Sequence, residues 1–285
     1  MTDGLIALRE GRAVVDLSGW RKCLARGAEA FEWLNDILTA ELSGLGSGEG
    51  RRTLLLSPTG RVRADLTVTS FRDGFLLLQD PVQTMSIKDA LAPYVLSSDV
   101  DLEDVSSDLG LAALPEGVSP EGVATFRPSP LGTGLGAVTE GDAIPEVPEL
   151  VVATSEDFDA YRIELGVPRV GADLGEDSLP HEAPLEAAIA HDKGCFLGQE
   201  AVAKVRNLGH PPFVVMALRG PGGIARGDPV VAAGSEAGRI TSATGLDGET
   251  AALARIRWPA REAALATDDG KELRRAATRS GWSAS

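Results

Sequence analysis

Between residues 61 and 70, apolar and polar side chains alternate. Val62, Ala64, Leu66 and Val68 fall on one side of an extended chain, and Arg61, Arg63, Asp65, Thr67 and Thr69 on the other. The spacing predicts a strand with one face on a core and Asp65 on the polar face. β-rich runs at 53–56 and 75–79 flank it, set off by Ser57-Pro58-Thr59-Gly60 and Arg72-Asp73-Gly74. Both separators have turn compositions, so the three runs predict a β-meander. Phe31, Leu34 and Leu38 recur at helical spacing, which predicts a helix within 27–38 docked on a core. Asp80 followed by Pro81 is an N-cap and first-turn pair, and predicts a helix through Met85 and Leu91 to Leu96. A strand-like run, 100–105, follows. Helices interleaved with an antiparallel meander make an α+β class.

Further along, 109–148 is rich in Gly and Pro and offers only short runs, so it reads as loop-rich. A helix starts at Thr154 or Ser155, with Glu156 and Asp157 in its first turn and Phe158, Tyr161 and Leu165 on one side. Gly166 and Pro168 stop it. From Phe213 the texture changes to short strand candidates, 213–218, 229–232, 236–242 and 250–258, among Gly-rich turns, which predicts a small barrel or sandwich. The tail after Arg261 is polar, with Arg274 and Arg275 expected to be solvated. The organisation expected is an N-terminal α+β domain (1–108), a second α+β region (109–209) and a C-terminal barrel with tail (210–285).

Composition narrows the function classes. With 285 residues, 43% of them hydrophobic, the chain can bury a sizeable core. No apolar run reaches the roughly 20 residues that cross a bilayer, and the first ten residues lack a signal-peptide pattern, so the expectation is a cytoplasmic protein off the membrane. Two cysteines, Cys23 and Cys195, build neither a disulfide framework nor a closed thiolate metal site within one molecule. The net charge is −15, and 98–160 holds fourteen acidic residues against the single basic Arg127. A field of that sign opposes direct binding to nucleic acid.

The densest chemistry lies in 192–206. A lone Cys195 sits between Gly194 and Phe196, with Lys193 two positions before it and Gln199-Glu200 four and five after. A nearby cation favours the reactive thiolate, and Gly194 and Gly198 allow a close backbone approach to a ligand. Spacing alone fits a buried small hydrophobe in a turn better, since free cysteine is commonly buried. His191, four residues before Cys195, is placed to activate a thiol, although an incidental loop histidine is the plainer reading. The spacing of His181, His191 and Cys195 matches no zinc pattern.

Lys193-Gly194-Cys195-Phe196-Leu197-Gly198-Gln199-Glu200 closely resembles the Lys-Gly-Cys-Tyr-x-Gly-Gln-Glu signature of the YgfZ family, in the T-protein superfamily. Leu179-Pro180-His181-Glu182 upstream, the run from Val202 to Gly209 downstream, and Pro58-Thr59-Gly60-Arg61-Val62-Arg63-Ala64-Asp65-Leu66 also resemble that family, so the likeness spans nearly the whole chain. It implies a GcvT-like ring of α+β units with a small C-terminal β-barrel around a central tetrahydrofolate site. T-proteins transfer a one-carbon unit to that folate. YgfZ-type proteins are associated with maturation or repair of iron-sulfur enzymes, one of which modifies tRNA.

Carried across by resemblance, Asp65 matches an aspartate near the one-carbon centre, and Cys195 becomes the functional thiol. Glu164, in Tyr161-Arg162-Ile163-Glu164-Leu165-Gly166, matches the glutamate that takes the pterin edge through two parallel N–H bonds. Arg162, Lys193, Lys204 and Arg206 become candidates for the anionic glutamyl tail, and Gly194, Gln199 and Glu200 complete the expected cofactor-binding set. The sequence departs from the pattern at Ala64, where T-proteins carry another aspartate, at Phe196 for tyrosine, at Lys204 for arginine, and at His191 for an apolar residue. The resemblance therefore implies a folate-dependent accessory factor with iron-sulfur enzymes or assembly factors as partners. The alternatives are an aminomethyltransferase-like one-carbon transferase, and a scaffold that keeps the fold without the ligand.

Overall fold

The computed structural model describes residues 2–132 and 134–278. The first part runs α1 (Asp3–Arg9), β1 (Ala13–Asp16), β2 (Arg21–Arg26), α2 (Ala30–Ile37), β3 (Gly50–Leu56), β4 (Val62–Phe71), β5 (Gly74–Gln79), α3 (Ile87–Leu91) and β6 (Asp101–Asp104). The middle holds β7 (Leu109–Leu114), β8 (Ala124–Phe126), β9 (Leu135–Glu140), β10 (Val151–Ala153), α4 (Ser155–Leu165) and α5 (Gln199–Leu208). The remainder supplies β11 (Phe213–Pro221), β12 (Pro229–Ala232), β13 (Ser235–Leu246), β14 (Glu249–Arg257), β15 (Leu265–Thr267) and β16 (Glu272–Ala276).

The meander forms as its alternation requires, with β3, β4 and β5 antiparallel in a sheet of order β3-β4-β5-β2-β6. The odd and even positions of these strands serve different cores. Ala64, Leu66, Val68, Leu77 and Cys23 pack on one face with Trp33 and Leu34 of α2 and Leu91 of α3. Leu24, Leu76 and Leu78 point the other way, onto a second sheet of order β10-β1-β7-β9-β8. That sheet supplies Val15, Leu111, Ala113 and Val138 to the same core. β1 joins it by pairing with β7 and, in parallel, with β10, so residues 13–16 lie in a sheet otherwise built from 109–153. The last six strands close into a barrel in the order β11-β14-β13-β12-β15-β16.

Three expectations are corrected. The loop-rich segment contains β7, β8 and β9, and β7 is buried along its whole length. Its sequence, Leu-Gly-Leu-Ala-Ala-Leu, is a continuous apolar run with no alternation to announce a strand, as a strand covered on both faces needs none. Asp80-Pro81 opens no helix. The Asp80 carboxylate accepts from the Val82 N–H and is held by Arg169, and the chain turns until Ser86 caps α3 at Ile87. The polar tail supplies β15 and β16 to the barrel, while Arg274 and Arg275 are exposed as expected, Arg275 donating to the Arg261 and Ala263 carbonyls at the surface. Residues 279–285 lie outside the described set. α4 starts as expected, with a capping box between Thr154 and Asp157, and ends at Gly166 with φ 74°, a left-handed position that favours glycine.

The parts meet through buried polar ties. Arg162 on α4 and Asp173 are both sealed from solvent, at 2% and 0% side-chain exposure, with a 2.7 Å bond between them. Asp173 also accepts from the Arg169 N–H, Thr241 and Ser242, while Arg162 donates to Ser242 Oγ (2.8 Å), Asp159 (2.6 Å) and the Val167 carbonyl (3.3 Å). A second tie joins the buried Glu182 to Arg255 of β14 at 2.8 Å. Breaking a buried pair on one side strands the other charge, so Asp173→Ala is expected to cost about 3–5 kcal/mol. Glu176→Ala, which opens the exposed 3.2 Å contact with Arg63, is expected to cost under about 1 kcal/mol. Urea unfolding of both variants checks the contrast; equal losses would remove the tie from its structural role.

Candidate functional site

A cleft opens where the first sheet, α4 and the segment after α4 converge. Its cavity volume is about 60 Å³, and the rest of the space between the walls is open to solvent. Its apolar walls include Trp20, Leu131 and Phe158, and its polar lining is Arg52, Asp65, Thr67, Asp80, Gln83, Arg162 and Arg169. Trp20 arrives on the β1–β2 connection. Lys22, wholly buried, donates at 2.7 Å to both the Ser18 and Trp20 carbonyls, and burial pulls its pKa down to about 8.

Asp65 faces this cleft from the polar side of β4, as the alternation predicts. Arg52 of β3 holds it with Nε to Oδ1 at 2.9 Å and a second nitrogen to Oδ2 at 2.6 Å. β5 pairs with β4 only from Leu66 onward, which would leave the Asp65 main chain without a neighbour on the side away from β3. The Gln83 carboxamide continues the ladder instead: its oxygen accepts from the Asp65 N–H at 2.9 Å and its nitrogen donates to the Asp65 carbonyl at 2.8 Å. A carboxylate offers about four acceptor positions, so after Arg52 the partly buried Asp65 keeps two for a ligand.

The other expected residues divide. Arg162 lines the cleft, but four of its five N–H donors go to Asp159, Val167, Asp173 and Ser242 and its charge is matched by Asp173 and Asp159, so it is a structural tie and not a free cation for an anionic tail. Glu164 does not line the cleft; it pairs with Arg9 of α1 at 2.8 Å. Lys193 is buried, and its ammonium donates to the main-chain carbonyls of Asn35, Leu38 (3.0 Å) and Ala40 (2.8 Å), closing the C-terminal end of α2. Burial lowers its pKa, partly offset by Glu41 and Asp36. The cation expected beside the thiol is thus committed to another helix.

The rest of the motif is a platform. Phe196 and Val202 are buried in one core with Leu54, Leu56 and Val62. Gly198 (φ 83°) caps α5, and a Cβ there would meet the Ser57 carbonyl at 2.5 Å, while one on Gly60 (φ 74°) would meet Ala201 at 2.8 Å. The second glycine of the motif therefore admits the β3–β4 hairpin, whereas Gly194 faces open space. Cys195 and Glu200 are exposed. Gln199 and Arg206 line a separate pocket on α5, of about 170 Å³, with His191, whose Nε2 meets Glu186 at 2.6 Å; Arg206 lies 4.0 Å from the same carboxylate. His181 has both ring nitrogens buried without a hydrogen-bond partner, and burial lowers its pKa. The thiol loop abuts the hairpin at Gly60, and Asp65 lies five residues further, roughly 15 Å along an extended chain. Among the described residues no group of three His, Cys, Asp or Glu side chains is placed to hold a metal ion, and no helix is long and apolar enough to cross a membrane.

The chain superposes on the glycine cleavage system aminomethyltransferase T of Bartonella henselae with a TM-score of 0.77. That match covers 97% of this chain and 88% of the other, at 18% identity. The chain has the GcvT-like fold. Residues 2–116 match the GCVT N-terminal domain. In sequence, the chain is 24% identical over 277 residues to a chloroplastic transferase of Arabidopsis thaliana, covering 85% of this chain and 64% of that protein. It is also 24% identical over 244 residues to an aminomethyltransferase of Caldanaerobacter subterraneus, covering 71% and 65%. The chain thus spans just under two thirds of the length of these two relatives.

Within this GcvT-like frame sequence reasoning missed Arg52, Gln83, Asp80, Arg169, Trp20 and Phe158 as cleft residues. Arg52 had a usable signal, since Arg52 and Leu54 point to the same side of a strand and Leu54 sits opposite Asp65. The two cysteines differ sharply: burial pushes Cys23 up to about 12, while Cys195 is exposed. An aromatic disulfide reagent at neutral pH is expected to modify one thiol fast and the other only on unfolding. Cys195→Ala should remove the fast phase, and Lys193→Met should lower stability by about 1–3 kcal/mol while changing the fast rate less than about threefold. A collapse of the fast rate in Lys193→Met would put the ammonium back beside the sulfur.

Proposed function

We propose that the chain binds tetrahydrofolate in the cleft, and that it serves as an accessory factor for iron-sulfur proteins in the manner of the YgfZ family, acting on tRNA modification only through such enzymes. One observation carries the folate reading: a partly buried Asp65, fixed by Arg52 and Gln83, keeps two acceptor positions beside the walls formed by Trp20 and Phe158. A flat aminopyrimidine offers two parallel N–H donors and apolar faces, and this lining suits both. When bound, the folate supplies a nitrogen that carries one-carbon units. The chain's own residues would hold the head group: Asp65 accepting at its edge, Trp20 and Phe158 covering its faces, and the Arg52 pair keeping the carboxylate oriented.

The second part of the reading rests on the motif. Lys193, Phe196, Gly198 and Val202 are consumed in anchoring it, and the residue left outward is Cys195. An exposed thiol on a fixed platform, away from the cleft, suits a partner-facing role toward iron-sulfur enzymes or assembly factors better than contact with the folate head. The names of relatives favour a second reading, an aminomethyltransferase-like one-carbon transferase. Ala64 stands against it, since it leaves one carboxylate at that place on β4.

Calorimetric titration with tetrahydrofolate tests the first reading. Saturable binding is expected, weakened about tenfold or more by Asp65→Ala, the loss of a charge-assisted bidentate contact. Cys195→Ala should bind normally yet fail to restore iron-sulfur enzyme activity in cells lacking the gene. No binding by the wild-type chain would overturn the folate reading, full rescue by Cys195→Ala would overturn the thiol's role, and turnover of an aminomethylated carrier protein would favour the transferase.

A further inference from the structure

Gln199, Val202, Ala203, Arg206 and Asn207 recur along α5 at intervals of three and four, so they share one face of the helix. That face lines the pocket of about 170 Å³, together with His191 and Phe196. The cavity is larger than the one at Asp65. It is well below the roughly 300 Å³ at which sites for drug-sized molecules begin, so an occupant is small. Val202 and Ala203 make the middle of the face apolar, and Phe196 adds to that lining. Polar groups stand at the two ends, Gln199 at one and Arg206 with Asn207 at the other.

These polar groups are uncommitted. Among the described residues, the Gln199 and Asn207 side chains make no hydrogen bond within the chain, and the charged contact of Arg206 is Glu186, 4.0 Å from its Nε. Both partners of that contact are about half exposed, at 51% and 52%, so water screens the pair and little holds it. Glu186 is also kept in place by His191 at 2.6 Å. The terminal nitrogens of Arg206 are therefore open to an outside anion, and taking one leaves no buried carboxylate stranded. Arg162 and Arg169 differ in this respect, since each holds a buried carboxylate, Asp173 or Asp80, at 2.7 Å.

We propose that this pocket binds a small aliphatic carboxylate, with the carboxylate on the Arg206 fork beside Asn207 and the carbon chain over Val202 and Ala203 against Phe196. A carboxylate matches the planar guanidinium with two parallel bonds. One helical turn, about 5.4 Å, separates the polar end from the apolar middle, which suits a body of roughly three to five carbons. A phosphate would leave those apolar walls uncovered. The site is independent of the folate reading, because none of its lining residues lines the cleft.

Calorimetric titration of the full chain with pentanoate tests the site, with pentanamide and pentylamine as uncharged and cationic probes of the same shape. Pentanoate is expected to bind saturably with a Kd on the order of 1 mM, and the other two at least about tenfold more weakly. Arg206→Gln should weaken pentanoate about tenfold while barely changing pentanamide. Glu186→Gln should tighten pentanoate, since it removes a like charge beside Arg206. Ala203→Leu fills the cavity and should abolish binding. Thermal melts establish that each variant is folded, and Arg206→Gln, at an exposed position, decides the matter even where Ala203→Leu melts early. An Arg206→Gln chain that melts like the wild type and binds pentanoate as tightly would overturn the inference. So would equal affinity for pentanamide, or no saturable binding of pentanoate by the wild-type chain up to about 50 mM.

Discussion

The arrangement depends on the buried pair between Arg162 and Asp173. A guanidinium and a carboxylate removed from water are tolerable only when nearly every donor and acceptor is matched, and here the matches come from separate parts of the molecule. Asp173 gathers Arg162 from α4, the Arg169 main chain from the segment after it, and Thr241 and Ser242 from the barrel. Because the pair cannot be satisfied by fewer partners, α4, its following segment and the barrel must meet at one place. That meeting positions Phe158 and the 167–170 wall over the polar face of β4, and the cleft is the space left between them.

The same economy explains the motif. Its lysine, aromatic residue and second glycine hold α2, a core and the β3–β4 hairpin, so little of it remains for a ligand. The cleft and Cys195 are joined through the hairpin, since the strand that carries Asp65 begins at the turn on which Gly198 rests. A partner acting on the thiol and a small molecule in the cleft thus share one rigid element without sharing a pocket.

Much of the fold was legible because its signals are local. The period-two pattern in β4 assigned Asp65 to the polar side, and the capping residues of α4 gave both of its ends. β7 escaped because full burial removes alternation, and β15 and β16 escaped because a barrel's closing strands are polar outside and short. The site was legible only in part. Lys193 reads as a cation beside a thiol in sequence, yet its long side chain reaches α2, more than 150 positions away along the chain. Arg162 shows the same limit: a charge is visible in a sequence, but whether it is already matched is a property of packing. Gln83 has no sequence signal, since its carboxamide stands in for a missing strand neighbour only once β5 has ended.

The central claim is that the folate site is the cleft at Asp65 and that the thiol surface is a separate site. Hydrogen exchange with and without saturating tetrahydrofolate tests it most directly. The account predicts slowed exchange around residues 63–67, 80–83 and 158–170, with 193–208 unchanged. Protection confined to 193–208, with no change around Asp65, would contradict it.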